Sequence, residues 1–506
     1  MRAPRNKHMT RYWALAIGLG IFTSTSVLAA QELLIGSKRF TESYILAEIL
    51  TQTAAQSTPA VHRPGLGNTA ILFEALKNGA IDLYPEYLGT IELEILKRQT
   101  ATLSIDQVNR ELAPAGLAVA IPFGFNNTYA LAVRSKMATR LHLVSIDDLA
   151  AHPELRIGTS HEFLGRNDGW PGLARTYRLP QKPIGLDHGI AYEALANRQV
   201  DVIDAYSTDA KIKKYGLTVL TDDKHYFPRY DALVLYRQDV PQRFPKAWSD
   251  LTRLAGHIDE RRMIAMNSSV ELDHQSFAAV AHAFLTNATT LPAHKAGLWD
   301  KLAGDDFWRL TFEHVRLVVL AVLAASLLGV PLGVAAFSLR RVRVIVMMIV
   351  ATLQTIPALA LLAFFIPLFG RIGTIPALAA LFVYSLLPIV RNTLAGLSGV
   401  STGLREAARA LGLGWWDRMK NIELPLAGPL ILAGIRIAAV ISVGTATIAA
   451  FIGAGGYGQR ITVGLALNDN DMLLAGAIPA AVLAVAVEAV FSALEYVWGR
   501  RNRVIS

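Results

Sequence analysis

The chain has 506 residues, of which 52% are hydrophobic and only 18% charged. This length allows two or three domains, and this composition is too apolar for an ordinary soluble protein, so we expect part of the chain in lipid. The net charge of +9 does not predict a nucleic-acid partner, because many Lys and Arg residues lie just outside apolar runs. Since the sequence contains no cysteine, it excludes disulfides, thiolate catalysis and Cys-based metal sites.

Residues 1–29 predict a signal peptide. Basic residues precede an apolar stretch at 13–22, and the small residues that follow end in Val27-Leu28-Ala29, which fits cleavage after Ala29. An uncleaved signal anchor is the alternative, although the apolar run is short for a spanning helix. In either case we expect the residues from 31 onward to lie in the periplasm.

Residues 31–304 have the pattern of a periplasmic α/β domain. Short β-rich runs such as Leu33-Leu34-Ile35 alternate with amphipathic helical stretches such as 71–77. Two strand-like segments, Tyr129–Arg134 and Ala232–Arg237, resemble each other. They suit paired hinge strands that leave and re-enter one lobe, and two ordinary buried strands are the alternative.

Residues 305–506 predict an all-α membrane domain with five spans. Each apolar segment can cross or nearly cross ~30 Å of hydrocarbon as a helix. The segments are residues 317–339, 344–370, 372–390, 437–459 and 472–498. Because five is odd and the first domain is outside, the C-terminus is expected in the cytoplasm. The basic residues agree, because the loops predicted to be external hold only Arg371 and Arg460.

The predicted cytoplasmic loop at about 401–425 carries a specific motif. Glu406-Ala407-Ala408-Arg-Ala-Leu-Gly412 is followed by Ile422-Glu-Leu-Pro425, and the pattern predicts a helix, a turn with a left-handed glycine at Gly412 or Gly414, and a second helix. The motif resembles the EAA loop of ABC importer permeases. An amphipathic helix on the membrane surface, anchored by Trp415 and Trp416, is the alternative.

This resemblance implies partners in the cytoplasm and in the membrane. Two copies of a separate ABC ATPase subunit would dock on the loops of a permease homodimer embedded in lipid. The residues implied in ATPase docking are Glu406, Ala407, Ala408, Gly412, Ile422 and Pro425. Two ionisable residues at membrane depth, Arg436 and Glu488, are hypothetical pathway or pairing residues, although Arg436 can also snorkel to the cytoplasmic side.

Four segments of the first half resemble the substrate-binding proteins of glycine betaine, carnitine and choline importers. They are Ile35-Gly-Ser-Lys-Arg-Phe-Thr-Glu42, Ile81-Asp-Leu-Tyr-Pro-Glu-Tyr-Leu-Gly-Thr90, Phe163-Leu-Gly-Arg-Asn-Asp-Gly-Trp-Pro-Gly-Leu173 and Asp201-Val-Ile-Asp-Ala-Tyr-Ser-Thr-Asp209. The resemblance implies a two-lobed α/β binding protein with a hinged cleft. Segments of residues 310–500 likewise resemble the permeases of these importers.

The family pattern implies an aromatic cage for a trimethylammonium group. Such a group cannot donate hydrogen bonds, so a protein holds it by cation–π contact with ring faces. The implied ligand-binding residues are Tyr87, Tyr129, Tyr206, Tyr230, Thr90 and Asn127, the last two for the polar tail. Lys38 and Glu42 are weaker candidates, and Ser43 stands where the family has Gln. Each tyrosine taken singly can also be a half-buried core residue.

The expected function is import of a quaternary-ammonium compound across the bacterial inner membrane. Glycine betaine, carnitine or choline is the expected ligand, and ergothioneine is the alternative within the family. A membrane-anchored receptor is the alternative of another class, which five spans and an EAA loop argue against. The sequence has no Walker-type phosphate loop and no nucleophile–base or metal cluster, so it predicts no enzyme, no catalytic residue, no metal and no cofactor.

Overall fold

Two α/β sheets and a set of long helices make up the chain. The computed structural model describes residues 31–288, 297–467 and 469–503. The predicted signal peptide, residues 1–29, lies outside the described residues. The two-lobed α/β half and the all-helical half that the sequence predicts are both present.

Each lobe is built on one five-stranded mixed sheet. The strands are β1 (Leu33–Gly36), β2 (Ala60–Arg63), β3 (Leu83–Tyr87), β4 (Leu117–Ala120), β5 (Tyr129–Arg134), β6 (Ile157–Ser160), β7 (Ile184–Leu186), β8 (Val202–Tyr206), β9 (Leu217–Val219) and β10 (Ala232–Arg237). Lobe 1 has the order β2-β1-β3-β10-β4, and lobe 2 has the order β7-β6-β8-β5-β9. In each sheet one late or returning strand, β10 or β5, is antiparallel to its neighbours.

Helices cover both sheets, because strands such as β3 are buried along their whole length and need cover on both faces. The helices of this half are α1 (Thr41–Ala55), α2 (Thr69–Lys77), α3 (Leu88–Thr90), α4 (Ile105–Leu112), α5 (Ser135–Leu141), α6 (His161–Gly165), α7 (Trp170–Tyr177), α8 (His188–Ala196), α9 (Lys211–Lys214), α10 (Val240–Arg243), α11 (Pro245–Thr252), α12 (Glu260–Glu271), α13 (Phe277–Thr286) and α14 (Leu298–Leu302). Side-chain caps fix several starts; Asp187, for example, accepts from the backbone N–H of Gly189 and begins α8.

The sheet topology shows where the two strands of the predicted hinge pair lie. Strands β5 and β10 lie in different sheets and do not pair with each other. The segments just before them cross between the lobes side by side, joined by an antiparallel bridge between Asn126 and Asp231. The backbone N–H of Asn127 also donates to the carbonyl of Tyr230 at 3.0 Å. The similar sequences therefore mark the first strands after two neighbouring crossings, which is where a hinge between the lobes lies.

The second half is a helical membrane domain. Its helices are α15 (Phe307–Ser338), α16 (Arg340–Thr355), α17 (Ala358–Phe369), α18 (Thr374–Ser398), α19 (Thr402–Ala410), α20 (Trp415–Arg418), α21 (Leu424–Ala446), α22 (Gly458–Leu467) and α23 (Asn470–Arg503). Within the described residues, four helices are long and apolar enough to cross a membrane, or five spans if the bent pair α16 and α17 counts as one. That pair bends by 101° at Pro357, the N-cap of α17. The domain therefore has four to five apolar spans.

The fourth predicted span is displaced along the chain. The sequence predicts residues 437–459, whereas the helix is α21, which ends at Ala446. Glycines at 453, 455 and 456 all have positive φ and break the helical backbone beyond it. At its other end α21 continues through Arg436, because that charge is paired within the domain and does not mark a helix end.

Candidate ligand-binding site and cytoplasmic loop

All six residues predicted to bind ligand line one cavity between the lobes. Tyr87 and Tyr206 end strands β3 and β8, and Tyr129 begins β5 directly opposite Tyr206 in the antiparallel pair. Tyr230 lies on the returning crossing segment, next to Asn127. The cavity is lined by Lys38, Phe40, Tyr87, Thr90, Asn127, Tyr129, Glu162, Arg166, Tyr206 and Tyr230. Such crevices at the ends of strands are the usual binding places of open α/β sheets.

The rings in this cavity contact one another at varied angles. Tyr129 is 5.2 Å from Tyr206 and 5.6 Å from Tyr230 between ring centroids, with interplanar angles of 45° and 87°. Phe40, which the sequence analysis missed, lies 5.4 Å from Tyr206 and 6.2 Å from Tyr87. The ring faces of four tyrosines and one phenylalanine can therefore surround a small apolar cation.

Carboxylates hold two of the tyrosines by their hydroxyl groups. The hydroxyl of Tyr87 donates to Glu42 at 2.5 Å, and that of Tyr230 donates to Asp168 at 2.7 Å. Asp168 also accepts from the guanidinium of Arg166, whose Nε lies 2.8 Å from Oδ1. These bonds fix the orientation of the rings without any ligand, so the cage is preorganised.

Charged side chains in and behind the cavity wall carry a negative excess. Lys38 is paired with buried Glu86 at 2.7 Å, and Arg166 is paired with Asp168. Glu162 lines the cavity as a further carboxylate. Burial raises the pKa of Glu162, but Lys38 and Arg166 outweigh that effect and hold the pKa below its usual value, so the group is ionised at neutral pH. Two cations face three anions, which favours a positively charged occupant.

Glu42 joins the two lobes behind the cage. Its carboxylate accepts from Tyr87, from Asn127 Nδ2 at 2.9 Å, from the hydroxyl of Thr208 in lobe 2 at 2.6 Å, and from Asn267 Nδ2 at 3.2 Å. Burial raises the pKa of Glu42 to about 7, against the hydrogen bonds, which lower it. The sequence placed Glu42 only among weaker candidates, and its position makes it a tie between lobes rather than a cavity wall.

Two charged wall residues, Glu162 and Arg166, were missed from the sequence. Arg166 lies inside the segment 163–173 that carries the family resemblance, and Glu162 precedes it directly. Arg166 places its guanidinium 5.5 Å from the centre of the Tyr129 ring and 3.4 Å from Thr90 Oγ1. The presence of a charged residue, Arg166, within the segment that carries the family resemblance was the signal that could have identified it as a wall residue.

The loop at 401–425 forms the predicted helix–turn–helix. Helix α19 begins at a Ser401 cap, and Gly412 follows it with φ +77°, so Gly412 rather than Gly414 takes the left-handed turn. Arg405 holds the loop against the end of α18 by donating to the carbonyls of Leu397 and Val400 at 2.6 and 2.7 Å.

The six residues predicted to dock an ATPase differ in exposure. Glu406, Ala407, Gly412 and Pro425 are exposed, Ile422 is half-buried, and Ala408 is buried. Ala408 therefore packs the helix against its support instead of facing a partner.

Comparison with known proteins gives the same division into two halves. Residues 31–287 match the family described as the substrate-binding domain of ABC-type glycine betaine transport systems. Residues 321–504 match the binding-protein-dependent transport system inner membrane component. The chain belongs to this importer family. It joins the two components in one polypeptide and is a transporter component, not an enzyme.

Individual relatives match about half of the chain or less. The choline transport system permease protein OpuBB of Bacillus subtilis (strain 168) is 41% identical over 192 residues, which are 38% of this chain and 88% of that protein. An ergothioneine transport permease/ergothioneine binding protein of Helicobacter pylori (strain G27) is 31% identical over 271 residues, 51% of this chain and 48% of that one. A solved structure titled glycine betaine/carnitine/choline ABC transporter is 27% identical, covers 50% of this chain and 98% of that one, and has a TM-score of 0.42.

Family membership has consequences for partners and location. An importer component of this kind works with an ABC ATPase and a small ligand, and it is a multi-pass protein of the inner membrane.

Within the membrane half, Arg436 lies 3.4 Å from Glu488 and 3.1 Å from Glu495. The pairing interpretation of Arg436 and Glu488 is thus supported, with Glu495 as an additional partner that the sequence analysis did not name.

Proposed function

We propose that the importer component captures a quaternary-ammonium compound in the periplasm and delivers it to its own membrane half for ATP-driven uptake. The observation that carries this proposal is the cavity itself, where Tyr87, Tyr129, Tyr206 and Tyr230 come together from four distant segments. A trimethylammonium group is bulky, cationic and unable to donate hydrogen bonds, so ring faces and a diffuse negative field are what it needs.

Among these compounds, the charge balance favours choline over glycine betaine. Lys38 is paired with Glu86, and Arg166 is paired with both Asp168 and, at 3.4 Å, Glu162, so three carboxylates share two cations and one negative charge is in excess. A net cation such as choline gains from that excess, whereas the carboxylate of glycine betaine opposes it. Asn127 Oδ1 is also buried and has no hydrogen-bond partner within the described part of the chain. The hydroxyl of choline can donate to such an acceptor, and glycine betaine has no donor.

The proposed site therefore divides into a head and a tail. Tyr87, Tyr129, Tyr206 and Tyr230 hold the methylated head, and Thr90 and Asn127 meet the polar tail. Filling a buried unpaired acceptor is worth roughly 1–3 kcal/mol, so we expect choline to bind about tenfold tighter than glycine betaine.

In the membrane, we propose five spans with the binding half outside. The bent pair α16 and α17 would count as one broken span, which makes the number odd and puts the C-terminus in the cytoplasm. The loop at 401–425 would then also be cytoplasmic, as its basic residues favour. The proposed domains are residues 1–29 as signal peptide, 31–304 in the periplasm and 305–506 in the membrane.

Two copies of the chain and two ATPase subunits would form the working importer. Each ATPase would dock on a helix–turn–helix through Glu406, Ala407, Gly412, Ile422 and Pro425, with Ala408 packing behind them. Helix α19 presents an exposed face for such a contact, and Gly412 sets the angle between the two helices.

The test is calorimetric titration of the purified full-length chain in lipid nanodiscs with choline, glycine betaine, carnitine and ergothioneine. We expect saturable binding of choline and much weaker binding of 3,3-dimethyl-1-butanol, the neutral analogue in which carbon replaces the charged nitrogen. Equal affinity for choline and its neutral analogue would contradict the cage, and tighter binding of glycine betaine would contradict the charge argument.

Ergothioneine is the second candidate because a relative is named as both an ergothioneine transport permease and an ergothioneine binding protein. It is a trimethylated betaine, so the same cage can hold its head. Ergothioneine binding tighter than every other compound in the panel would replace choline by this ligand and leave the cage intact.

A further inference from the structure

Helix α8 of lobe 2 meets helix α22 of the membrane domain end to end. A Cβ atom placed on Gly189 would lie 2.4 Å from the carbonyl oxygen of Leu465 and 2.5 Å from that of Ala466. Only glycine allows this backbone approach. The start of α8 thus faces the last carbonyls of α22, and the two helix dipoles attract each other in this arrangement.

The same turn of α8 contacts the ligand cage. The ring of His188 lies 4.5 Å from that of Tyr206. Asp209 holds both of them, since its Oδ2 accepts from the backbone N–H of Tyr206 at 2.9 Å and lies 3.0 Å from His188 Nε2. The hydroxyl of Tyr192 donates to the same oxygen at 2.6 Å. A shift of the Tyr206 backbone or ring therefore moves the start of α8.

His188 and Asp209 form an ion pair at the start of α8. Burial lowers the pKa of the imidazole, but the adjacent Asp209 outweighs burial and raises the pKa to about 9. The ring is therefore protonated at neutral pH, and its pairing with Asp209 at 3.0 Å fixes the turn beside Tyr206.

Ala466 lies where the two lobes meet. A small pocket behind the cage is lined by Ala466 together with residues of both lobes. From lobe 1 these include Phe40 and Glu42, and from lobe 2 they include His188 and Asp209. Lobe 1 touches the membrane domain separately, with the Arg39 guanidinium 4.6 Å from the centre of the Phe451 ring. The surroundings of Ala466 are complete only when the lobes are closed.

We propose that the His188–Gly189 turn reports occupancy of the cage to α22 of the same chain. An occupied cage fixes Tyr206, Asp209 and His188, and the turn then seats on the carbonyls of Leu465 and Ala466. An empty cage lets the lobes separate, so that residues of both lobes no longer surround Ala466 together. The coupling can transmit only the free energy by which ligand prefers the closed arrangement. This inference rests on the proposed function, because it needs a ligand in the cage.

The experiment uses the absence of cysteine from the chain. Ile190→Cys and Leu465→Cys place the only two thiols beside the contact, and a short bis-maleimide joins them in the full-length chain in nanodiscs. Choline is the probe, and mass spectrometry of linked peptides gives the rate. We expect linkage within one chain and an increase in rate of about fivefold or more with saturating choline, the usual range of an allosteric coupling.

A His188→Leu variant in this background, saturated with choline as judged by its own titration, should lose the choline-dependent increase. Linkage at the same rate with and without bound choline would overturn the proposal. Retention of the full choline effect in His188→Leu would overturn it too. Linkage between two chains, each with one of the thiols, would show that α8 docks on the other copy.

A matched glycine pair tests the contact in the assembled transporter. Gly189→Ala should lower choline-stimulated ATP hydrolysis about fivefold or more, although alanine favours the helix itself. Gly165→Ala, also in lobe 2, is the control, because a Cβ there meets no atom within 4 Å. Equal stimulation in both variants would contradict the inference. Calorimetry separates this failure from that of the proposed function, since the latter would abolish choline binding by the unmodified chain.

Discussion

Replacing Tyr206 separates a cation–π cage from an ordinary aromatic core. Tyr206→Leu keeps an apolar side chain but removes the ring quadrupole, whereas Tyr206→Phe keeps the ring face. The hydroxyl bonds of Tyr87 to Glu42 and of Tyr230 to Asp168 remain in both variants. A substitution at Tyr206 therefore tests the ring alone, whereas one at Tyr87 or Tyr230 would also remove a hydrogen bond to a carboxylate.

The magnitude follows from the position of the ring. Tyr206 is half-buried and contacts Phe40 and Tyr129, so its contribution lies between that of exposed and fully desolvated rings. We expect Tyr206→Leu to cost about 1–2 kcal/mol of binding free energy, which is roughly a tenfold rise in Kd. Tyr206→Phe should change Kd by less than about threefold, since it loses only a hydroxyl.

The assay is choline titration of full-length wild-type and variant chains in nanodiscs at fixed salt. Circular dichroism establishes that each variant is folded. Tyr177→Phe is a control outside the cavity, because that hydroxyl bonds Asp222 in lobe 2 instead of lining the cage. Equal Kd values for the Leu and Phe variants of Tyr206 would refute a cation–π role and leave that ring as core.

Three further outcomes are expected. Gly412→Val should abolish transport with choline binding unchanged, because φ +77° disfavours a branched residue and the cage is distant; normal transport would contradict the docking role. Burial raises the Glu42 pKa from 4.5 to about 7. The contribution of this group to the free energy of unfolding is therefore fully present below pH 4.5 and is lost as the pH rises through 7. Glu42→Gln should remove this pH-dependent loss, which amounts to roughly 3 kcal/mol. Thermal unfolding scans from pH 4 to 8 measure it, and the same pH profile in wild type and variant would contradict the raised pKa of Glu42. A reporter after Ser506 should be cytoplasmic and one near Asp469 external; an external C-terminus would disprove five spans.

The sequence predicted the members of the cavity because the family motifs place them at strand ends. Tyr87 and Tyr206 end buried strands, and Tyr129 begins one. Because these strand ends meet at the cleft, the fold brings the three positions there whatever the packing of the side chains around them. Glu162 and the hub role of Glu42 were not predictable in this way. Their importance comes from which side chains of the other lobe lie opposite, and no local pattern encodes a contact such as Glu42 with Thr208.

In the membrane half, the position of a charged residue in the sequence did not predict where a helix begins. Arg436 interrupts an apolar run, and the predicted fourth span therefore begins after it. Its pairing with Glu495 and Glu488 lets the helix pass through. At Pro357, the proline at the N-cap of α17 follows the extended residue Ile356, and the chain turns there by 101°. Tertiary pairing and backbone geometry decided these two ends, and composition could not.

The fusion of the two halves explains why a contact such as the one at Gly189 is needed. A separate binding protein must diffuse to its permease, whereas a tethered one stays at high effective concentration with or without ligand. Proximity then carries no information about the cage. Only a contact whose free energy differs between the open and closed lobes can distinguish the two states. The contact at Ala466 is of this kind, because residues of both lobes enclose Ala466. Ala466 belongs to α22, so the contact between its carbonyl and Gly189 links the lobes to the membrane helices.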